Sequence, residues 1–262
     1  MIRGLHTSAA GMVAQQQDID VISNNIANIN TTAFKQDRSE FQDLMYQSLN
    51  FTAGATSGNT NNPTGIDTGL GVRIAGIQKN FLQGSLLQTG NTYDLAIQGN
   101  GFFQITTPNG ETAYTRNGSF KLNSDGSLVN GLGYLTEPEI VVPDNLINIS
   151  IAQDGTVSGV DPSTGEQQIL GQITLVNFIN PSGLAPQGDS LYLATETSGD
   201  PIDGVPGLNG IGTIRQGMLE GSNVQLVTEM VNLITAQRGY EASSKAITTT
   251  DTMLQTVNQL KR

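Results

Sequence analysis

This 262-residue chain has no cysteine, no tryptophan and a single histidine, His6. Without cysteine there is no disulfide framework, thiolate nucleophile or Cys-ligated metal. One histidine excludes a metal site built from several. Basic residues are scarce: 12 Lys and Arg stand against 23 Asp and Glu, for a net charge of −11. Nucleic-acid binding needs a basic patch to displace counterions, so that partner is excluded. No run approaches the ~20 apolar residues of a membrane-spanning helix. The opening Met1-Ile2-Arg3-Gly4-Leu5-His6 lacks the basic and apolar regions of a cleavable signal, so any export is expected to proceed without one. Hydrophobic content is 37% and charged content 13%, both low for a globular enzyme. A thin core is expected to draw part of its stability from neighbouring subunits.

What is present is a pattern shared by the two ends. Near the N-terminus Leu5, Met12, Ile19 and Ile26 recur every seven residues, with Ala9, Gln16 and Ser23 between them. Near the C-terminus Leu226, Leu233, Tyr240, Ile247 and Leu254 recur in the same way, with Met230, Gln237 and Ser244 between them. A seven-residue repeat with a 3–4 sub-step draws one stripe along an α-helix, the seam of a coiled coil. Two such helices predict a pair. Gln16 and Gln237, polar within the stripe, are candidates for fixing register. The first helix is expected over residues 2–29. The last is expected from a capping box at Ser222 and Gln225 to about Leu260.

The middle of the chain alternates. Strands are expected around Val72–Ile74, Asp94–Ile97, Phe102–Ile105, Ile147–Ile151 and Ile173–Val176. Turn signals separate them at Pro108-Asn109-Gly110, Arg116-Asn117-Gly118, Ser124-Asp125-Gly126, Gln153-Asp154-Gly155 and Ser163-Thr164-Gly165. The fold class is therefore α+β: long terminal helices paired as a coiled coil, with an inserted antiparallel β-rich domain. The expected organisation is residues 1–30 with 222–262 as the helical part, 31–69 as a connecting segment, and 70–221 as the β-rich domain. Within the connection, Glu40 to Ser48 reads as a short helical run. Asn50 to Thr68 reads as a long loop or weak hairpin.

No catalytic, cofactor or metal residues stand out. Gly99-Asn100-Gly101 leads into Phe102-Phe103 with no helix after it, unlike a dinucleotide fingerprint. Asp125 and Asp154 sit in turns without the distal Glu of a dedicated Ca²⁺ loop. Glu111, Glu137 and Glu139 are carboxylates without a paired geometry to recommend them.

The run Ile22-Ser23-Asn24-Asn25-Ile26-Ala27-Asn28-Ile29-Asn30-Thr31-Thr32-Ala33-Phe34-Lys35 resembles the N-terminal signature of bacterial flagellar rod and hook proteins. The matching letters are Asn24, Asn25, Ala27, Asn28, Thr31, Phe34 and Lys35. Asp94 to Phe103, Tyr114 to Phe120 with Asp125 to Val129, and Ser222 to Lys245 resemble later stretches of the same family in order. The likeness covers nearly the whole chain. Length, and the polar stretch after Tyr46-Gln47, resemble the distal-rod branch, with the proximal-rod branch the nearest alternative. Gly239 stands where relatives often carry Ala.

The resemblance implies a structural subunit with no cofactor. It would be exported through the flagellar type III apparatus and polymerise with itself into a hollow, torque-transmitting rod across the periplasm. Implied partners are proximal rod proteins, the hook protein and the periplasmic and outer-membrane ring proteins. The reading of another class is a periplasmic β-domain enzyme or glycan binder with helical arms.

Overall fold

The computed structural model describes residues 2–50, 55–56, 60–61, 66–143, 145–163 and 165–260. It is α+β. Helix α1 spans Ile2–Ala27 and helix α2 spans Leu226–Leu260. The chain divides into two compact units. One holds residues 1–27, 37–79 and 225–262; the other holds 28–36 and 80–224. Residues 37–69, expected in the connecting segment, and 70–79, expected in the β-rich domain, thus group with the helices. The short piece 28–36 groups with the β-structure.

In the helical unit, Asp37–Asp43 forms an antiparallel ladder with Val72–Lys79. The run from Glu40 is therefore strand, not helix. Seven cross-strand pairs, opened by Asp37 facing Lys79, override a local preference that the sequence carries only weakly. Lys79 Nζ lies 2.8 and 3.0 Å from the two Asp37 carboxylate oxygens. Tyr46–Asn50 pairs with Ile66–Gly69, and Ala55–Thr56 with Thr60–Asn61. Residues 51–54, 57–59 and 62–65 of the polar stretch Asn50 to Thr68 lie outside the described residues.

Helix α2 begins at Leu226, four residues after the expected cap. Ser222 Oγ accepts the Val224 N–H instead of capping a helix. The first helical bond runs from Glu229 N–H to the Gln225 carbonyl at 3.0 Å. At about 1.5 Å per residue the 35 residues of α2 extend about 52 Å.

The β unit is built on a seven-stranded antiparallel sheet. Its order is Lys121–Leu122, Leu128–Val129, Leu135–Glu137, Phe103–Thr106, Thr112–Thr115, Leu191–Leu193 and Ala185–Gly188. A second sheet joins Ile147–Ile151, Thr156–Val160 and Gln167–Gln172. Shorter pairs join Leu95–Gln98 to Thr213–Gln216, and Leu86–Gln88 to Met218–Glu220. The turns act as their composition suggests. Gly110, at φ +80°, closes the hairpin between Phe103–Thr106 and Thr112–Thr115, and its N–H donates to the Thr107 carbonyl. Asp154 accepts the Thr156 N–H at 3.1 Å in the turn between Ile147–Ile151 and Thr156–Val160. The main core gathers Leu95, Ile97, Phe103, Ile105, Phe120 and Leu175. A smaller aromatic core holds Phe102, Tyr114, Phe178 and Tyr192, with Phe81 against it.

Gly118 is the tightest point of this unit. Its carbonyl accepts the Leu95 N–H at 2.9 Å, and a Cβ placed on it would lie 1.7 Å from the Leu95 carbonyl oxygen. Backbone cannot move aside as a flexible side chain can. Gly118→Ala should therefore destabilise the β unit by about 3 kcal/mol or more, at or above the upper end of ordinary overpacking. Urea unfolding read by near-ultraviolet dichroism checks this. An unchanged midpoint would contradict the close approach.

Candidate assembly surface

Within the helical unit α1 and α2 run antiparallel, side by side. Gly11 faces Ser243, Gln15 faces Gly239 and Asn25 faces Glu229. A Cβ on Gly239 would meet the Gln15 side chain at 3.3 Å, and one on Gly11 would meet Ser243 Oγ at 3.5 Å. At two of these points one of the facing residues is a glycine. Ala14, Val21 and Ile22 of α1 and Ala236 of α2 are buried.

None of the expected seam residues is fully buried. Leu5, Met12, Ile19 and Ile26 are half-buried, as are Leu233, Ile247 and Leu254. Leu226, Met230 and Tyr240 are exposed. The buried positions of α1 are Ala14, Val21, Ile22 and Asn25, none of them in the expected stripe. Gln16 and Gln237 are both exposed. The first half of α2 shows an apolar strip outward: Val227 is 76% exposed, Met230 50%, Val231 54% and Ile234 48%. Isolated surface apolar residues need no explanation, but a contiguous strip marks an interaction surface.

The family-signature residues divide by role. Asn25 is 1% exposed and braces the helical unit. Its Nδ2 donates to the Asp37 carbonyl and its Oδ1 accepts the Asp37 N–H. The same Nδ2 lies 3.4 Å from Glu229 Oε2 in the first turn of α2. Helix α1, the 37–43 strand and α2 are tied at one point. Asn24 and Ala27 are exposed on α1. Asn28 and half-buried Phe34 belong to the β unit, as does Thr31, whose hydroxyl donates to Asn28 Oδ1.

Lys35 is fully buried in the β unit. Its Nζ donates to Glu220 Oε1 at 2.7 Å and to the Leu82 carbonyl at 2.8 Å. Glu220 Oε1 also accepts the Gly84 N–H, and its Oε2 forms an ion pair with Arg116 Nε at 3.1 Å, without a well-aligned hydrogen bond. Asn223 completes the cluster. It accepts the Gln36 N–H and donates to the Asn80 and Leu82 carbonyls. Segments 33–36, 80–84 and 220–223 are thereby clasped together. The sequence pointed to Lys35 as a signature residue, but Glu220 is 185 positions away and no local pattern marked it. Asn223 and Glu229 lie in the family-like stretch Ser222 to Lys245, but no local pattern pointed to the partners they have here.

Burial lowers the Lys35 pKa below its ordinary 10.5, although Glu220 pulls the other way. Below 10.5 the unfolded chain therefore holds this proton more tightly than the folded one. The charge costs stability at neutral pH, and that cost fades as pH rises toward 10.5. The stability of the natural chain relative to Lys35→Met should thus increase between neutral pH and 10.5. Paired urea titrations at both ends of the window check this. A difference that falls with pH would contradict it.

Comparison with known proteins matches three stretches to flagellar families. Residues 5–35 match the flagella basal body rod protein family, and 96–159 the D1 domain of the flagellar hook protein FlgE/F/G family. Residues 215–260 match the C-terminal part of the flagellar basal body rod FlgEFG proteins. The flagellar basal-body rod protein FlgG of Buchnera aphidicola subsp. Schizaphis graminum is 46% identical over 260 residues, covering 99% of this chain and 100% of the relative. FlgG of Borreliella burgdorferi is 47% identical over 264 residues, with both chains covered completely. FlgF of Caulobacter vibrioides is 34% identical over 256 residues, 95% of this chain and 94% of its own. Matched end to end at this level of identity, the chain belongs to the flagellar basal-body rod protein family.

Proposed function

We propose that this chain is a structural subunit of the flagellar distal rod, polymerising with itself through its terminal helices. The observation that carries the reading is its end-to-end likeness to FlgG proteins, at 46% and 47% identity, against 34% for the FlgF relative. Distal rod is therefore preferred over proximal rod. The relatives are rod proteins, which supports reading this chain as structural and not as an enzyme.

The proposed assembly element is α1 and α2 wound as a coiled coil. Leu5, Met12, Ile19 and Ile26 on one helix, and Leu226, Met230, Leu233, Tyr240, Ile247 and Leu254 on the other, then meet neighbouring copies wherever the chain's own fold leaves them uncovered. The exposed strip from Val227 to Ile234 supports this. Repeating one head-to-tail contact without closure gives a helical filament. Each such side chain that becomes covered contributes up to ~1.5–3 kcal/mol. Proximal rod, hook and ring proteins are the proposed partners at the ends and sides of the filament.

The charge distribution supports the same division of labour. By sequence, residues 28–36 and 80–224 carry 4 basic and 14 acidic residues, −10 of the chain's −11. The helical unit is left close to neutral, so its faces can meet without strong like-charge repulsion.

Met230→Asp and Ile234→Asp should abolish polymerisation while leaving the monomer folded. Both side chains are about half exposed in the single chain, so the charge stays solvated until a neighbour covers it. Sedimentation with circular dichroism tests the pair. Ordinary filaments from either variant would remove α2 from the assembly surface.

A further inference from the structure

We infer that an open cavity beside Arg116 is a carboxylate-binding site, filled by an acidic side chain from a second copy of the chain. The cavity, in the β unit, has a volume of about 380 Å³. Phe81, Phe102 and Phe178 form its apolar wall, Asn100 and Asn177 its polar rim, and Arg116 also lines it. Arg116 is only 4% exposed, with its guanidinium 5.9 Å from the centre of the Phe102 ring.

The argument rests on charge. The buried cluster holds two cations, Lys35 and Arg116, and one anion, Glu220. It is one negative charge short. An uncompensated buried charge is costly, and backbone carbonyls offset it only in part. Lys35 is enclosed completely, so no ligand reaches it. Arg116 is different. Its Nε faces Glu220, and its Nη1 donates to the Gly99 and Gly101 carbonyls. Its Nη2 has no hydrogen-bond partner among the described residues. Of the two cations, Arg116 is thus the one that borders the cavity with donor capacity left.

A carboxylate is the anion that fits. Arg presents a planar fork of donors matched to it, and aromatic edges surround the rest of a side chain's stem. The source follows from composition and rests on the polymer reading. The β unit carries 14 acidic residues, and two of its four basic residues are the buried Lys35 and Arg116. Copies brought side by side present carboxylates to one another at high local concentration. One carboxylate inserted against Arg116 relieves both the buried excess charge and part of the repulsion between acidic surfaces.

Sodium acetate is the probe, compared with sodium chloride at equal ionic strength on the monomeric full-length chain. Acetate should raise the unfolding midpoint saturably by about 2–4 °C, the shift expected for roughly 1 kcal/mol in a protein of this size. Asn100→Asp places a carboxylate of the chain's own at the rim. It should raise the midpoint without acetate, abolish the acetate response and slow polymerisation severalfold. Arg116→Gln should lose the acetate response; if it does not fold, Asn100→Asp alone decides. No acetate response together with an unchanged or lowered midpoint in Asn100→Asp would overturn the site. Acetate binding with normal polymerisation of Asn100→Asp would overturn the second copy as the source. Natural chains that never polymerise would overturn the subunit reading, and the acetate arm, read on monomers, would still decide the site.

Discussion

The fold is organised by a helix that its own chain cannot cover. Helix α2 is 35 residues long, against 26 for α1. An α-helix can lay only one stripe on a single partner, and this contact includes Gly11 and Gly239. Several bulky apolar side chains of α2, from Val227 to Ile234, remain about half or more in water. A monomer built this way keeps apolar surface in reserve. Ordering two long terminal segments costs ~1–2 kcal/mol per residue in backbone entropy. On the proposed reading, the gain from covering that surface on assembly offsets it.

Two buried polar clusters make the rest rigid. In the helical unit Asn25 satisfies both backbone groups of Asp37 and reaches Glu229, fixing where α1 ends relative to α2. In the β unit Glu220 draws Lys35, Gly84 and Arg116 to one carboxylate. Buried ion pairs are weak evidence for stability, because desolvation consumes most of their attraction. Their value here is geometric. Three segments far apart in sequence are held at one place by bonds to a single carboxylate and its neighbours.

Much of this was legible in the sequence, for definite reasons. Helical periodicity extends over more than twenty residues at each end, so α1 and α2 stand out. Asn-Gly and Asp-Gly pairs specify hairpins locally, so Gly110 and Asp154 fall where the turns are. The strand at Asp37–Asp43 was not legible, because its partner Val72–Lys79 supplies the reason for it. The start of α2 was missed because Ser222 and Asn223 spend their hydrogen bonds on non-helical backbone. Lys35 stood out as a signature residue, but its burial did not. Its counter-charge comes from Glu220, and pairing across 185 positions leaves no local trace.

The central claim is that the terminal helices, and not the β unit, form the principal contact between copies. Amide hydrogen exchange on monomer and polymer measures it most directly. Protection gained on polymerisation should concentrate in α1 and in α2, most of all from Val227 to Ile234. Gains confined to residues 80–224, with α2 exchanging equally in both states, would contradict it.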